Sequence, residues 1–206
     1  MSWNPCKNLP GILLACADSL KEAANQEEPE IHYPNKKKRK KAARELIETA
    51  KRYGVTISSC ESYTAGLFCS TLGSVPGAPA VLAGGLVTYM TRIKSEMAQV
   101  DPALIETYGV VSEPCARAMA ENTRRLFSTD YCVSFTGNAG PSAMEDKPAG
   151  EVYWALSGND GTLVWENHFA LSRRKIQKLS VYLAMVELRN RILEDHGDLQ
   201  DSIEKD

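Results

Sequence analysis

No stretch of this 206-residue chain holds the ~20 consecutive apolar residues that a membrane-spanning helix needs. The apolar segment from Leu9 to Ala17 is short, follows a single lysine and leads into no cleavage pattern, which argues against a secretory signal. Cys6, Cys16, Cys60, Cys69, Cys115 and Cys132 include no C-x-x-C pair, so they suit reduced thiols of a cytoplasmic protein better than a disulfide frame. The three histidines, His32, His168 and His196, lie far apart without metal-ligand spacing, which argues against a zinc site. An excess of charge is also missing. Lys and Arg number 24 against 26 Asp and Glu, a net of −2, so the molecule as a whole is no trap for nucleic acid. There is no internal repeat.

What is present divides into three parts. Residues 1–41 form an extension: a segment from Leu9 to Ala24 compatible with one short helix, the acidic QEEPEIHYPN, and the basic run KKKRKK. That run reads as a localisation signal, a nucleic-acid patch or, more commonly, the solvated start of the helix that AARELIETAKRYG continues, with Gly54 as its stop. Residues 42–196 carry alternating strand and helix signals, and residues 197–206 form an acidic tail. Strands are expected at Val55–Ser59, Val81–Tyr89 and Tyr131–Thr136, with a hairpin of Glu151–Ser157 and Thr162–Ala170 around the turn SGNDG. Helices are expected at Thr64–Leu72, at Thr91–Gln99 capped by Thr91, at Pro102–Thr107, from Ser112 to about Phe127, and from Ser172 onward. The pattern predicts a layered α/β/α domain with a mixed, mostly parallel sheet and an antiparallel hairpin.

Three polar segments follow strands: Glu61-Ser62-Tyr63-Thr64-Ala65-Gly66, the TYMTRIK segment from Thr88 to Lys94, and TGNAGP from Thr136 to Pro141. Strand ends are where α/β sheets gather their ligands. Ser62 has two readings, a cap for the following helix or a nucleophile beside helix-terminal amides. A nucleophilic serine needs a base. His168, on a hairpin strand, suits an edge position. Lys94 is the alternative, near a helix start and beside Arg92, where dipole and like charge disfavour its ammonium. Neutrality at pH 7 requires roughly 4 kcal/mol of bias against a free value of about 10.4, more than a dipole supplies, so the base role demands burial. Gly137 and Gly140 permit either a turn or an anion-binding nest, and Arg173 is a candidate clamp for a phosphate or carboxylate.

In order and spacing, TISSCESYTAG, VPGAPAVLAGGLVTYMTRIK, YGVVSEPCARAMAEN, SFTGNAGP, KPAGEVYWAL and FALSRRKIQ resemble the C-terminal amidohydrolase domain of the CinA family, over about Ala42 to Glu194. The resemblance implies deamidation of nicotinamide mononucleotide to nicotinic acid mononucleotide and ammonia, without a metal or other cofactor, by a homodimer whose partner is a small pyridine nucleotide. It implies Ser62 as nucleophile, Lys94 and Tyr89 assisting it, and Glu61, Thr64, Thr136, Gly137, Gly140 and Arg173 around the substrate. The family's E-S-C-T-G-G reads with Tyr63 and Ala65 here, its Y-S-N reads Tyr89-Met90-Thr91, and its glycine-rich run after AGP reads SAMED. A later family arginine corresponds to Gln177. These departures leave two alternatives open, an amidase for a different substrate and a non-catalytic binding or assembly module that keeps the fold. Larger family members carry an added pyrophosphatase domain, for which residues 1–41 are too few, so that activity is not expected.

Overall fold

A computed structural model describes residues 33–197. The chain divides between Pro34 and Asn35, earlier than the expected 41/42 boundary, because the basic run is already helix. The proposed Leu9–Ala24 helix and the 198–206 tail lie outside the described residues. Asn35 opens the first helix, α1 (Lys36–Tyr53), by accepting the Lys38 amide proton, and Gly54 closes it at φ 65°. The lysines of its first turns are mostly exposed, while Ala43, Leu46, Ile47 and Ala50 form its buried stripe.

Beyond α1 run β1 (Ile57–Glu61), α2 (Leu67–Gly73), β2 (Leu82–Val87), α3 (Thr91–Glu96), α4 (Pro102–Tyr108) and α5 (Glu113–Phe127). Then come β3 (Tyr131–Gly137), β4 (Glu151–Gly158), β5 (Gly161–His168) and α6 (Arg173–Asp195). The five strands form one sheet in the order β2-β1-β3-β4-β5. β1 pairs in parallel with β2 and β3, while β3–β4 and β4–β5 are antiparallel, so the sheet is mixed with the two kinds of pairing in equal number. The α/β class and the hairpin follow the sequence pattern.

Alternation along the strands feeds two cores. On one face Phe135 packs on Phe68 of α2, with α1 and α6 completing that layer. On the other, Cys60 and Ala155 join Cys115, Met119 and Ala120 of α5. The central strands β1, β3 and β4 are buried nearly throughout, as strands covered on both faces must be. Trp154 and Trp165 stack across the β4–β5 pair at 3.9 Å. Among the described residues, no helix is long and apolar enough to cross a membrane.

β1 lies two residues later than expected and α2 begins at Leu67 rather than Thr64, because Ser62–Gly66 form a turn that leads into the helix. Ala65 and Gly66 both hold positive φ there, 51° and 86°. Thr91 is the first residue of α3 rather than its cap; Met90 occupies the cap position and offers no side-chain bond. Ser112 caps α5 as its spacing indicates, accepting from the Cys115 amide. Ser172 sits at the start of α6 without a capping side-chain bond.

Candidate active site

The ends of β1, β2 and β3 bring the three polar segments to one cleft of about 390 Å³. Its lining includes Ser62, Tyr89, Lys94, Thr136 and Gly137. That volume is at the small end of the ~300–1,000 Å³ typical of small-molecule sites.

Ser62 follows β1 directly, and its amide donates to Phe135 O at 2.9 Å, extending the β1–β3 pairing. The backbone therefore fixes the residue while its hydroxyl reaches the cleft. Lys94, only 1% exposed, places Nζ 3.0 Å from Ser62 Oγ and donates to Thr88 O at 2.8 Å. Both bonded partners are uncharged. Burial drives the Lys94 ammonium below its ordinary value, against weaker opposing pulls from Cys115, Cys60 and Glu145. The expected contribution of Arg92 is replaced by desolvation: Arg92 is exposed and pairs with Glu96 at 2.8 Å. A neutral Lys94 held by the Thr88 carbonyl can accept a proton from Ser62 Oγ.

Glu61, expected at the substrate, instead points into the protein. Its carboxylate accepts from the amides of Phe68 (3.1 Å) and Cys69 (3.0 Å) and from Ser59 Oγ (3.3 Å). Glu61 is thus the acidic cap of α2, the task the sequence suggested for Ser62. Thr64 is also buried and absent from the cleft lining. Tyr63 turns inward, 3% exposed and edge-on to Phe135, so its bulk leaves the cleft free. Its carbonyl accepts from Gln177 Nε2 at 2.6 Å, which ties the turn carrying Ser62 to α6.

Thr136 lines the cleft and donates to Val110 O at 2.5 Å. Gly137 is required by β4: a Cβ there would lie 2.5 Å from Val152 Cα. The next amide, of Asn138, donates to Glu151 O, so this part of TGNAGP continues the sheet rather than opening a nest. Gly140 contributes its carbonyl, which accepts from Arg173 Nη1 at 3.0 Å, and Arg173 Nη2 donates to Tyr89 Oη at 2.5 Å. Arg173 joins the second and third polar segments. Tyr89 Oη is accordingly directed to Arg173, and its expected role beside the Ser62–Lys94 pair has no bond to support it. His168 is exposed at the β5 end and bonds Glu166.

Three contributors escape sequence reading. Thr88 acts through its carbonyl, which no side-chain pattern reveals. Gln177 bonds a backbone oxygen across 114 positions of sequence. Glu145 accepts from the Val110 and Val111 amides at 2.8 and 2.9 Å; the acidic SAMED in place of a glycine-rich run was the available signal.

The CinA C-terminal domain model matches residues 39–192. A Lactiplantibacillus plantarum protein named as competence-damage inducible is 42% identical over 142 residues, covering 68% of this chain and 34% of that protein. The chain therefore spans about a third of that curated relative's length. Among solved structures, the competence/damage inducible protein CihA from Agrobacterium tumefaciens is 30% identical, with TM-score 0.71 over 76% of this chain and 95% of that one. A CinA superfamily protein from Klebsiella pneumoniae, 23% identical, shares the fold at TM-score 0.73 over 76% of this chain and 98% of its own.

Proposed function

Because the chain belongs to the CinA C-terminal domain family, we propose that it is an amidohydrolase that converts nicotinamide mononucleotide to nicotinic acid mononucleotide and ammonia. The observation that carries this reading is the buried Lys94 Nζ 3.0 Å from Ser62 Oγ. A serine and a desolvated amine at hydrogen-bond distance form a nucleophile–base pair. A surface lysine has no reason to pay the desolvation cost.

Lys94 accepts the Ser62 proton as Oγ bonds to the carboxamide carbon. The tetrahedral intermediate collapses with cleavage of the C–N bond, and the proton on Lys94 passes to the departing ammonia. Water then attacks the acyl-enzyme, giving one proton to Lys94, which returns it to Ser62 as the C–O bond to Ser62 breaks; the acid released loses its remaining proton to solvent and becomes the carboxylate. The first amides of α2 cannot receive the oxyanion, since Glu61 occupies those of Phe68 and Cys69. The oxyanion therefore needs donors other than these two amides. Arg173, already oriented by Gly140 and Tyr89, retains further N–H donors for the phosphate.

A second reading, an amidase for another carboxamide, draws support from the same Arg173, part of whose fork is occupied within the protein. Ammonia release from nicotinamide mononucleotide, with free nicotinamide and Ser62→Ala as controls, tests the first reading. Turnover by Ser62→Ala at the wild-type rate would overturn the mechanism, and turnover of free nicotinamide alone would select the second reading.

A further inference from the structure

Residues 141–149 form a loop beside the cleft, and its hydrogen bonds concentrate on one residue and its neighbour. The Met144 amide donates to Asn138 Oδ1 at 3.2 Å, and Asn138 Nδ2 donates to Met144 O and Lys147 O, both at 3.0 Å. Asn138 is itself 3% exposed, at the end of β3. The residue after Met144, Glu145, accepts from the two consecutive amides of Val110 and Val111. Gly109 makes room for it: a Cβ there would lie 2.3 Å from Glu145 Oε2. Lys147 Nζ donates to the carbonyls of Tyr108 and Val111, clamping the loop a second time. Glu145 and Asp146 hold φ of 62° and 53°, a conformation unfavourable for residues with a Cβ, and these anchors maintain it.

Such fixation contrasts with the side chain it presents. Met144 is 54% exposed and lines the cleft together with Ser62 and Lys94. Met90, 59% exposed, and Tyr89, 55% exposed, line the same cleft. A lone exposed methionine needs no explanation. A methionine with both backbone polar groups bound by one buried asparagine, and its neighbour locked on two amides, is positioned. Thioethers pack favourably on planar aromatic rings, and a fixed backbone lowers the entropic cost of that contact.

We propose that Met144 is a specificity-determining residue of the cleft, packing its thioether on the planar heteroaromatic ring that carries the scissile carboxamide, with Asn138 and Glu145 as its positioning residues. The inference rests on the amidohydrolase reading and adds the residue through which the cleft prefers a ring-bearing carboxamide to an aliphatic one.

The experiment uses full-length wild type, Met144→Ala, Met144→Leu and Glu145→Ala. Its first readout is kcat/KM for nicotinamide mononucleotide divided by that for propionamide. Its second is the Kd of nicotinic acid mononucleotide by calorimetry. Met144→Ala is expected to lower the ratio and raise the Kd, each about tenfold, the scale of losing a few apolar contacts in a pocket. Met144→Leu, of similar volume, should restore most of both. Glu145→Ala should follow Met144→Ala in the ratio, because the side chain is then unheld. A Met144→Ala protein with unaltered ratio and Kd overturns the proposal, as does equal loss toward both amides. If wild type releases ammonia from no amide, the amidohydrolase reading fails, and the Kd comparison alone judges Met144. Absence of both turnover and nucleotide binding in wild type overturns both.

Discussion

The Glu61 carboxylate accepts the amide proton of Phe68 at 3.1 Å, closing the start of α2 from the residue that precedes Ser62. Side by side, Glu61 and Ser62 divide two tasks: one satisfies the helix, and the other is left free to face the cleft. Strand alternation explains the division, since consecutive residues point to opposite faces.

Glu61→Ala should therefore lower stability by about 3 kcal/mol, because it removes a charged acceptor and strands two amide donors. Ser62→Ala should cost less than about 1 kcal/mol, since it removes no cap. Denaturant titration of both variants checks this. A Ser62→Ala protein as destabilised as Glu61→Ala would return the capping role to Ser62.

The order of elements was legible because their signals are local. Pro114 after Ser112 marks the start of α5, and SGNDG marks the β4–β5 turn. The Ser62–Lys94 pair was legible through the order of the segments that carry them. What the sequence concealed is long-range or carried by backbone. Thr88 contributes a carbonyl, and Gln177 reaches Tyr63 O from α6. Glu61 and Thr64, placed around the substrate by the resemblance, are both buried by strand phase and the turn, which short motifs do not reveal. Gly137 resembled part of an anion nest, yet the close approach of Val152 accounts for it.

Arg173 links Gly140 and Tyr89, and its remaining donors are proposed to meet a phosphate. Arg173→Ala should then reduce kcat/KM for nicotinamide mononucleotide at least about tenfold more than for the riboside that lacks the phosphate, as expected on loss of a charge-assisted bond. Steady-state kinetics on the two substrates measures the difference. Equal losses would mean that Arg173 only holds the loop and Tyr89 in place.

Ala65 occupies the left-handed region at φ 51°, beside Gly66 at 86°. A Cβ in that region costs about 1–2 kcal/mol, while glycine adds unfolded-state entropy worth roughly 0.5–1 kcal/mol. Ala65→Gly should consequently stabilise the fold by up to about 1 kcal/mol, a rise of a few degrees in Tm. Gly66→Ala should act in the opposite direction. Its added Cβ would meet only Val87 Cγ2 at an ordinary 3.6 Å, so the loss would report backbone strain. Thermal melts of the two variants suffice, and shifts of the same sign would disprove the account.

Lys94 should couple catalysis and stability through one proton. Burial lowers its pKa in the folded protein, whereas in the unfolded chain it returns to about 10.4. Between those values the unfolded state binds more protons than the folded state, so this group's contribution to stability rises with pH across the window. Below the folded pKa both states are protonated, and the folded protein bears the full cost of a buried ammonium. Lys94→Met removes the titration but leaves the Thr88 carbonyl without this donor, so the informative quantity is the slope rather than the offset. Wild-type stability relative to Lys94→Met should climb from the lowered pKa to about pH 10 and then level off. In the same lower range, kcat/KM of wild type should rise as Lys94 becomes neutral and able to accept the Ser62 proton. Lys94→Arg keeps a charge that it cannot release, so it should be as inactive as Lys94→Ala. Denaturation and kinetics across pH on one set of proteins measure both effects. An active Lys94→Arg enzyme, or a stability difference flat with pH, would remove Lys94 from the role of base.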